Sequence, residues 1–182
     1  MRRNLFVMMS IAAITLFYSC GNSGDKSEAK NLNTADKILQ KDDGTISLEV
    51  SKAACYSDIV NPSGNTAEWD VVISKSGRYN IWLSSATRDT ISLNYNNVVK
   101  ISVQDNRLEA HPECDKIIQN SSDVTLPYYR ADSFVGSLYI QDTGLLNIQV
   151  ISEKILPKDY KSKSPSADDS KLISVFFTPA TR

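Results

Sequence analysis

From Thr45 onward much of the chain is written in period two. Trp69, Val71 and Ile73 alternate with Asp70, Val72 and Ser74, and Tyr79, Ile81 and Leu83 alternate with Asn80, Trp82 and Ser84. The same rhythm carries Ile91, Leu93 and Tyr95, then Val99, Ile101 and Val103, then Ile148 and Val150, then Ile173, Val175 and Phe177. Successive side chains of an extended chain point to opposite faces, so these runs predict half-buried β-strands. With Thr45 to Val50 and Ser133 to Ile140 the count reaches about eight. Turn signals separate the runs at Ser76-Gly77, Asn96-Asn97 and Asp142-Thr143-Gly144. Asparagine tolerates positive φ, so Tyr95-Asn96-Asn97-Val98 reads as a tight hairpin. Short strands without a long helical period predict an all-β sandwich or barrel. Its expected core includes Tyr79, Ile81, Leu83, Ile140 and Phe177. The rhythm lapses from Gln104 to Asp132, a segment expected to be a long functional loop or disordered.

A different pattern opens the chain. Arg2 and Arg3 precede a mostly apolar run from Leu5 to Tyr18, closed by Ser19-Cys20-Gly21. The run is shorter than the roughly 20 residues that span a bilayer, and it matches a secretory signal. Leu16-Phe17-Tyr18-Ser19-Cys20 resembles a bacterial lipobox, with Phe17 and Tyr18 where small or aliphatic residues are usual. That resemblance implies a signal peptide over 1–19, lipidation of Cys20 and anchoring in a membrane, in the periplasm, outer membrane or cell surface. The alternative is an ordinary signal peptide with a coincidental cysteine. Gly21 to Asp43 is polar until Ile38-Leu39 and reads as a flexible tether, with a short helix from Thr34 to Lys41 as an option. Residues 44–182 then form a single domain with one core.

Charge and cysteine count narrow the chemistry. The chain carries 20 Lys+Arg against 21 Asp+Glu; removal of residues 1–19 takes two arginines and no acid, leaving 18 against 21, or −3. No basic field exists for nucleic acid. Once Cys20 is used, Cys55 and Cys114 remain, and outside the cytoplasm they are expected to bridge. Such a bridge closes a loop of roughly 60 residues, worth about 4 kcal/mol in the chain-entropy treatment. Cys55 as a small buried hydrophobe is the alternative. His111 is the only histidine, which excludes a convincing zinc site and leaves little for a Ser-His-Asp device. No nucleophile elbow or phosphate-binding glycine loop is present. A glycosidic pair of carboxylates stays open, but nothing singles one out, so a non-catalytic role is expected.

The run Ala67-Glu68-Trp69-Asp70-Val71-Val72-Ile73, followed by Ser76-Gly77-Arg78-Tyr79-Asn80-Ile81-Trp82-Leu83, resembles the core of galactose-binding-like jelly rolls. These include family 6 and family 35 carbohydrate-binding modules and domains appended to secreted fucosidases and sulfatases. Thr90 to Lys100 resembles their strand–turn–strand hairpin, with Asn97 where glycine is usual, and Ser133–Ile140, Gly144–Ser152 and Leu172–Pro179 resemble their closing strands. The resemblance implies a jelly-roll sandwich that binds sugars, and often a structural Ca2+. The corresponding acid is Glu49, with Asp168 or Asp169 as a late partner; Ser51 stands where a second acid is usual. Glu49 as an exposed strand charge and the aspartates as a solvated loop are the other reading.

A sugar site needs aromatic faces against apolar ring sides, with a few amides or charges for the hydroxyls. Two places qualify. One is the segment 104–132, with His111, Glu113, Asp115, Asn120, Tyr128, Tyr129 and Arg130. The other is the strand face bearing Trp82, Tyr139 and Phe176, an aromatic platform if open and core if covered. The expected protein is a monomeric lipoprotein that captures a glycan, or one that uses the same sandwich to hold a surface protein.

Overall fold

The computed structural model describes residues 37–156 and 170–181. Cys20, most of the tether, and Asp168 and Asp169 lie outside the described residues. The described residues form an all-β sandwich of two sheets. The strands are β1 (Ile38–Leu39), β2 (Ile46–Glu49), β3 (Ala54–Tyr56), β4 (Thr66–Ile73), β5 (Gly77–Thr87), β6 (Val99–Val103), β7 (Asn106–Ala110), β8 (Lys116–Ile118), β9 (Tyr129–Ile140), β10 (Gly144–Ile151) and β11 (Lys171–Pro179). One sheet has the order β1-β4-β10-β6-β7, with β3 also on the free side of β4; the other is β2-β11-β5-β9-β8.

The alternating rows meet between the sheets. Trp69, Val71 and Ile73 from β4, Ile148 and Val150 from β10, and Ile101 and Val103 from β6 face Ile46 and Leu48, Tyr79, Ile81 and Leu83, and Val175 and Phe177. Each is almost wholly removed from water, and a side chain of this size contributes about 1.5–3 kcal/mol on burial. The outward rows decide function, because they differ between the sheets. Outside the first sheet they are largely polar and mutually paired, apart from an apolar row of Leu39, Val72 and Leu145 at one end: Gln149 donates to Glu68 (2.8 Å), Asn147 to Asp70 (3.1 Å), and Lys100 lies 3.8 Å from Glu109.

Residues 37–43, expected as tether or as the end of a short helix, are instead tied to the sandwich. Ile38 and Leu39 run parallel to Val71 and Val72 of β4. The adjoining Gln40 is buried, and its amide joins this strap to the Ser74–Lys75 turn and to Tyr79. Gly44 closes the turn into β2 with φ +87°, and a Cβ there would come within 2.7 Å of Pro179 Cγ. Only glycine suits that position.

Two other expectations fail for local reasons. Ile91 to Tyr95 is not a strand and Asn96-Asn97 is not a hairpin turn. Asp89 Oδ1 accepts the Ile91 and Ser92 amides, Asn94 takes φ 51°, and Glu153 accepts from the Asn96 amide and the Asn97 side chain. Side chains thus replace the ladder partners, Leu93 is buried, Tyr95 packs against the core, and Ile91 stays 87% exposed. The tight hairpin falls later, between β6 and β7, where Gln104 holds φ 54°. Segment 104–132 therefore contains β7, β8 and the start of β9 rather than one long loop.

The Cys55–Cys114 bridge is not formed. Cys55 lies in β3, its Sγ 3.7 Å from the Val50 carbonyl just after β2, whereas Cys114 sits two residues before β8. Strands β2 and β8 are opposite edges of one sheet with three strands between them. Neighbouring strands are about 4.8 Å apart, and a disulfide needs Cα atoms within about 7 Å, so the sheet keeps the thiols apart. Burial pushes the Cys114 thiol up, with Asp89 and Asp115 adding to the shift. The expected result is that Cys55 and Cys114 both alkylate in denaturant without prior reduction. In the native protein at pH 8, Cys114 should react more slowly than a model thiol because less of it is thiolate. Mass spectrometry of the alkylated peptides checks both points.

Candidate functional site

Strand register builds the site on the outer face of the second sheet. Phe176 of β11 pairs with Trp82 of β5, and Trp82 pairs with Phe134 of β9. All three side chains point away from the core. The Trp82 and Phe176 rings are nearly parallel (4°) with centroids 6.3 Å apart, and Trp82 and Phe134 are tilted at 5.2 Å. No second layer covers them among the described residues: Phe134 is 46% exposed, and Trp82 and Phe176 are half-buried against one another. The face that could have been core is an open aromatic strip.

A polar band runs beside the strip. Ser174, Ser84 and Asp132 occupy the next outward row, with Glu49 at the β2 edge. Asp132 is 5% exposed and its carboxylate accepts from Ser84 Oγ (2.7 Å), Arg130 Nε (2.7 Å) and a terminal Arg130 nitrogen (3.1 Å). Arg130 reaches Asp123 at 2.6 Å with its other arm and lies 5.7 Å from the Phe176 ring centroid. Burial works against the Arg130 charge, but the bonds to Asp132 and Asp123 outweigh it and hold the guanidinium above its ordinary value. The side chain is thus fixed beside an aromatic face before any ligand arrives. A groove of ≈ 670 Å³ follows this edge of the sheet, with Ser47, Glu49, Arg130, Ser174 and Phe176 among its walls.

The sequence-selected residues divide in this frame. Arg130 and Trp82 belong to the face, as does Phe176. Tyr139 is on the same face but at the far end of β9, exposed opposite Arg78. Tyr128 lies in the loop before β9 with the Arg88 guanidinium 5.0 Å from its ring centroid, and Tyr129 opens β9 opposite Thr87. Neither tyrosine lines the groove. His111 is exposed in the β7–β8 connection, where Asp115 accepts the Phe134 amide (2.6 Å) and the Glu113 carbonyl accepts the Ser133 hydroxyl. Asp115 thus holds the chain, and neither acid lines the groove. Glu49 is engaged by Lys52 Nζ (2.8 Å) and Ser51 Oγ (3.3 Å). Among the described residues no three His, Cys, Asp or Glu side chains gather as a cation cage, and the late acids Asp168 and Asp169 expected beside Glu49 lie outside the described residues.

Phe134, Asp132, Ser84 and Asp123 escaped the sequence reading. A bulge hides Phe134: Ile81 pairs with Gly136 but Trp82 pairs with Phe134, so the alternation along β9 slips by one residue. Gly136 takes φ +133° there, with Leu108 packed against it.

No protein-family profile and no curated protein matches the sequence. Solved structures are similar to this chain. The α-L-fucosidase from Vibrio sp. strain EJY3 superposes with a TM-score of 0.62 at 22% identity, over 79% of this chain and 24% of the enzyme. The Podospora anserina GH26-CBM35 β-(1,4)-mannanase gives a TM-score of 0.44 at 9% identity, over 77% of this chain and 28% of that one. The insecticidal crystal protein Cry2Aa gives 0.44 at 13%, over 78% and 22%. This chain spans about a quarter of each. Fold and site together define an all-β sandwich with one largely polar outer face and one open aromatic face.

Proposed function

We propose that this protein is a membrane-anchored extracytoplasmic lipoprotein whose sandwich captures glycans without chemical conversion. The observation that carries the reading is the outer face of the second sheet: Phe134, Trp82 and Phe176 in one row, with Arg130 and Asp132 fixed beside them. Aromatic faces stack on the apolar sides of sugar rings, and pre-positioned charged donors and acceptors bond their hydroxyls at little ordering cost. The fold likeness to part of an α-L-fucosidase supports the same reading. Anchoring rests on Arg2-Arg3, the apolar run and Cys20 in the sequence. Among the described residues the two carboxylates beside the strip, Asp132 and Asp123, are both clamped by Arg130 rather than set as an acid and nucleophile, which favours a non-catalytic role.

A glycan array tests it. Binding should appear on a restricted set of glycans and fall about tenfold or more in Trp82→Ala and Phe176→Ala, since each removes about 1.4 kcal/mol or more of stacking and buried area. Tyr128→Ala should leave binding within about twofold. Silence on a broad array by folded protein, with a surface protein recovered by crosslinking through the same face, replaces the glycan with a protein partner.

A further inference from the structure

The charges around the groove are unevenly matched. The three carboxylates there share two cations: Glu49 holds Lys52, and Asp123 and Asp132 both hold Arg130. Two further walls are lysines, Lys41 in the turn before β2 and Lys171 at the start of β11. Among the described residues neither has an acidic side chain within ion-pair distance, although the Lys41 charge helps to lower the pKa of Asp43 two residues on. The surplus is local, because the chain as a whole is acidic, with a formal charge of −1.

Position gives the surplus a direction. Lys41 is bonded through its amide to the Thr45 carbonyl, beside the β2 residue Ile46 that pairs with Phe177. Lys171 is at the other end of β11. The strand between these points rises about 3.3 Å per residue, so the ammonium groups mark the two ends of a trough about 20 Å long. Between them lie the Phe176 ring, the Ser47 and Ser174 hydroxyls and the Arg130 guanidinium. Such a trough suits an extended chain whose rings stack centrally and whose negative groups meet a cation at each end. A neutral polymer would leave both ammonium groups solvated and gain nothing from them.

We infer that the ligand of this groove is an acidic polysaccharide, bearing carboxylate or sulfate groups, with Lys41 and Lys171 as the end contacts. The inference rests on the glycan-binding reading and names the class of glycan. The experiment is affinity electrophoresis of the full chain in two matched pairs: polygalacturonate against its methyl-esterified form, and a sulfated galactan against the desulfated polymer. Retardation is expected in a charged member and not in its neutral partner, and it should weaken with added salt. Lys41→Ala and Lys171→Ala should each reduce affinity about threefold and together about tenfold. Lys100→Ala, on the opposite sheet and paired with Glu109, should change nothing. Both lysines are exposed, so all these variants should keep the wild-type thermal midpoint. Uronate and sulfate are told apart by which pair responds. Equal binding to charged and neutral members, lost in Trp82→Ala, overturns the acidic specificity and keeps the glycan reading. A response that Lys100→Ala weakens as much as Lys41→Ala also overturns it, as non-specific charge attraction. Failure on both pairs together with a silent array removes both.

Discussion

Replacing Gln40 with alanine should lower the unfolding free energy by about 3 kcal/mol, an unusually large effect for a residue just after a two-residue strand. The reason is the number of groups that one amide satisfies. Its nitrogen donates to the Gly44 carbonyl (2.8 Å) and the Tyr79 hydroxyl oxygen (2.7 Å). Its oxygen accepts the Ser74 and Lys75 amides (both 2.8 Å) and the Ser74 hydroxyl (3.1 Å). At 9% exposure these partners find little water when the amide is gone, so the cost is that of stranded groups rather than of bonds exchanged with solvent. Gln40→Glu should also destabilise, because a carboxylate cannot donate to the Gly44 carbonyl. Urea titration reads the effect as a lower midpoint with an unchanged slope. A loss under about 1 kcal/mol would show that the pairing of Ile38 and Leu39 with β4, not the amide, fastens the strap. The strap also matters to the site, since it ends in the turn that carries Lys41 along the groove.

What could be read beforehand follows from what each segment buries. β4, β5, β6, β10 and β11 each press a full row of side chains onto the core, so their period two is complete in the sequence and their faces were assignable. β1 and β8 are edge strands of two and three residues, held by ladder bonds and too short to show a rhythm. Ile91, Leu93 and Tyr95 show the rhythm without the strand, because the amides around them bond to Asp89 and Glu153 across the loop. The site divides the same way. Trp82 and Phe176 were legible as the alternate face; whether that face was open depends on what packs over it, which no local pattern records. Asp132 gains its meaning only when β5 and β9 bring Ser84, 48 residues earlier, against it. The cysteines teach the converse: a compartment argument pairs Cys55 with Cys114 by elimination, and the width of a sheet overrules it.

The second large effect is expected at Arg130, and it separates what the fold needs from what the site needs. Arg130→Leu strands the Asp132 carboxylate, 7% exposed in its side chain, with only the Ser84 hydroxyl as a partner. Breaking a buried pair from one side costs about 3–5 kcal/mol; the partial exposure of the arginine, 22%, places this case near the lower end. Removing both charges is a different experiment. In Arg130→Leu/Asp132→Leu no buried charge is left unpaired, and well-packed apolar replacements of ion pairs are often neutral or stabilising. The double variant should therefore recover most of the stability lost in the single one. Glycan binding should not recover, because the guanidinium beside Phe176 is absent from both. Denaturation and affinity measurements on the two variants together decide the matter. Stability and binding restored in parallel would mean that the pair serves the sheet alone. Stability restored without binding would mean that Arg130 and Asp132 are kept on this face at a cost the fold could avoid, for the sake of the ligand that lies across it.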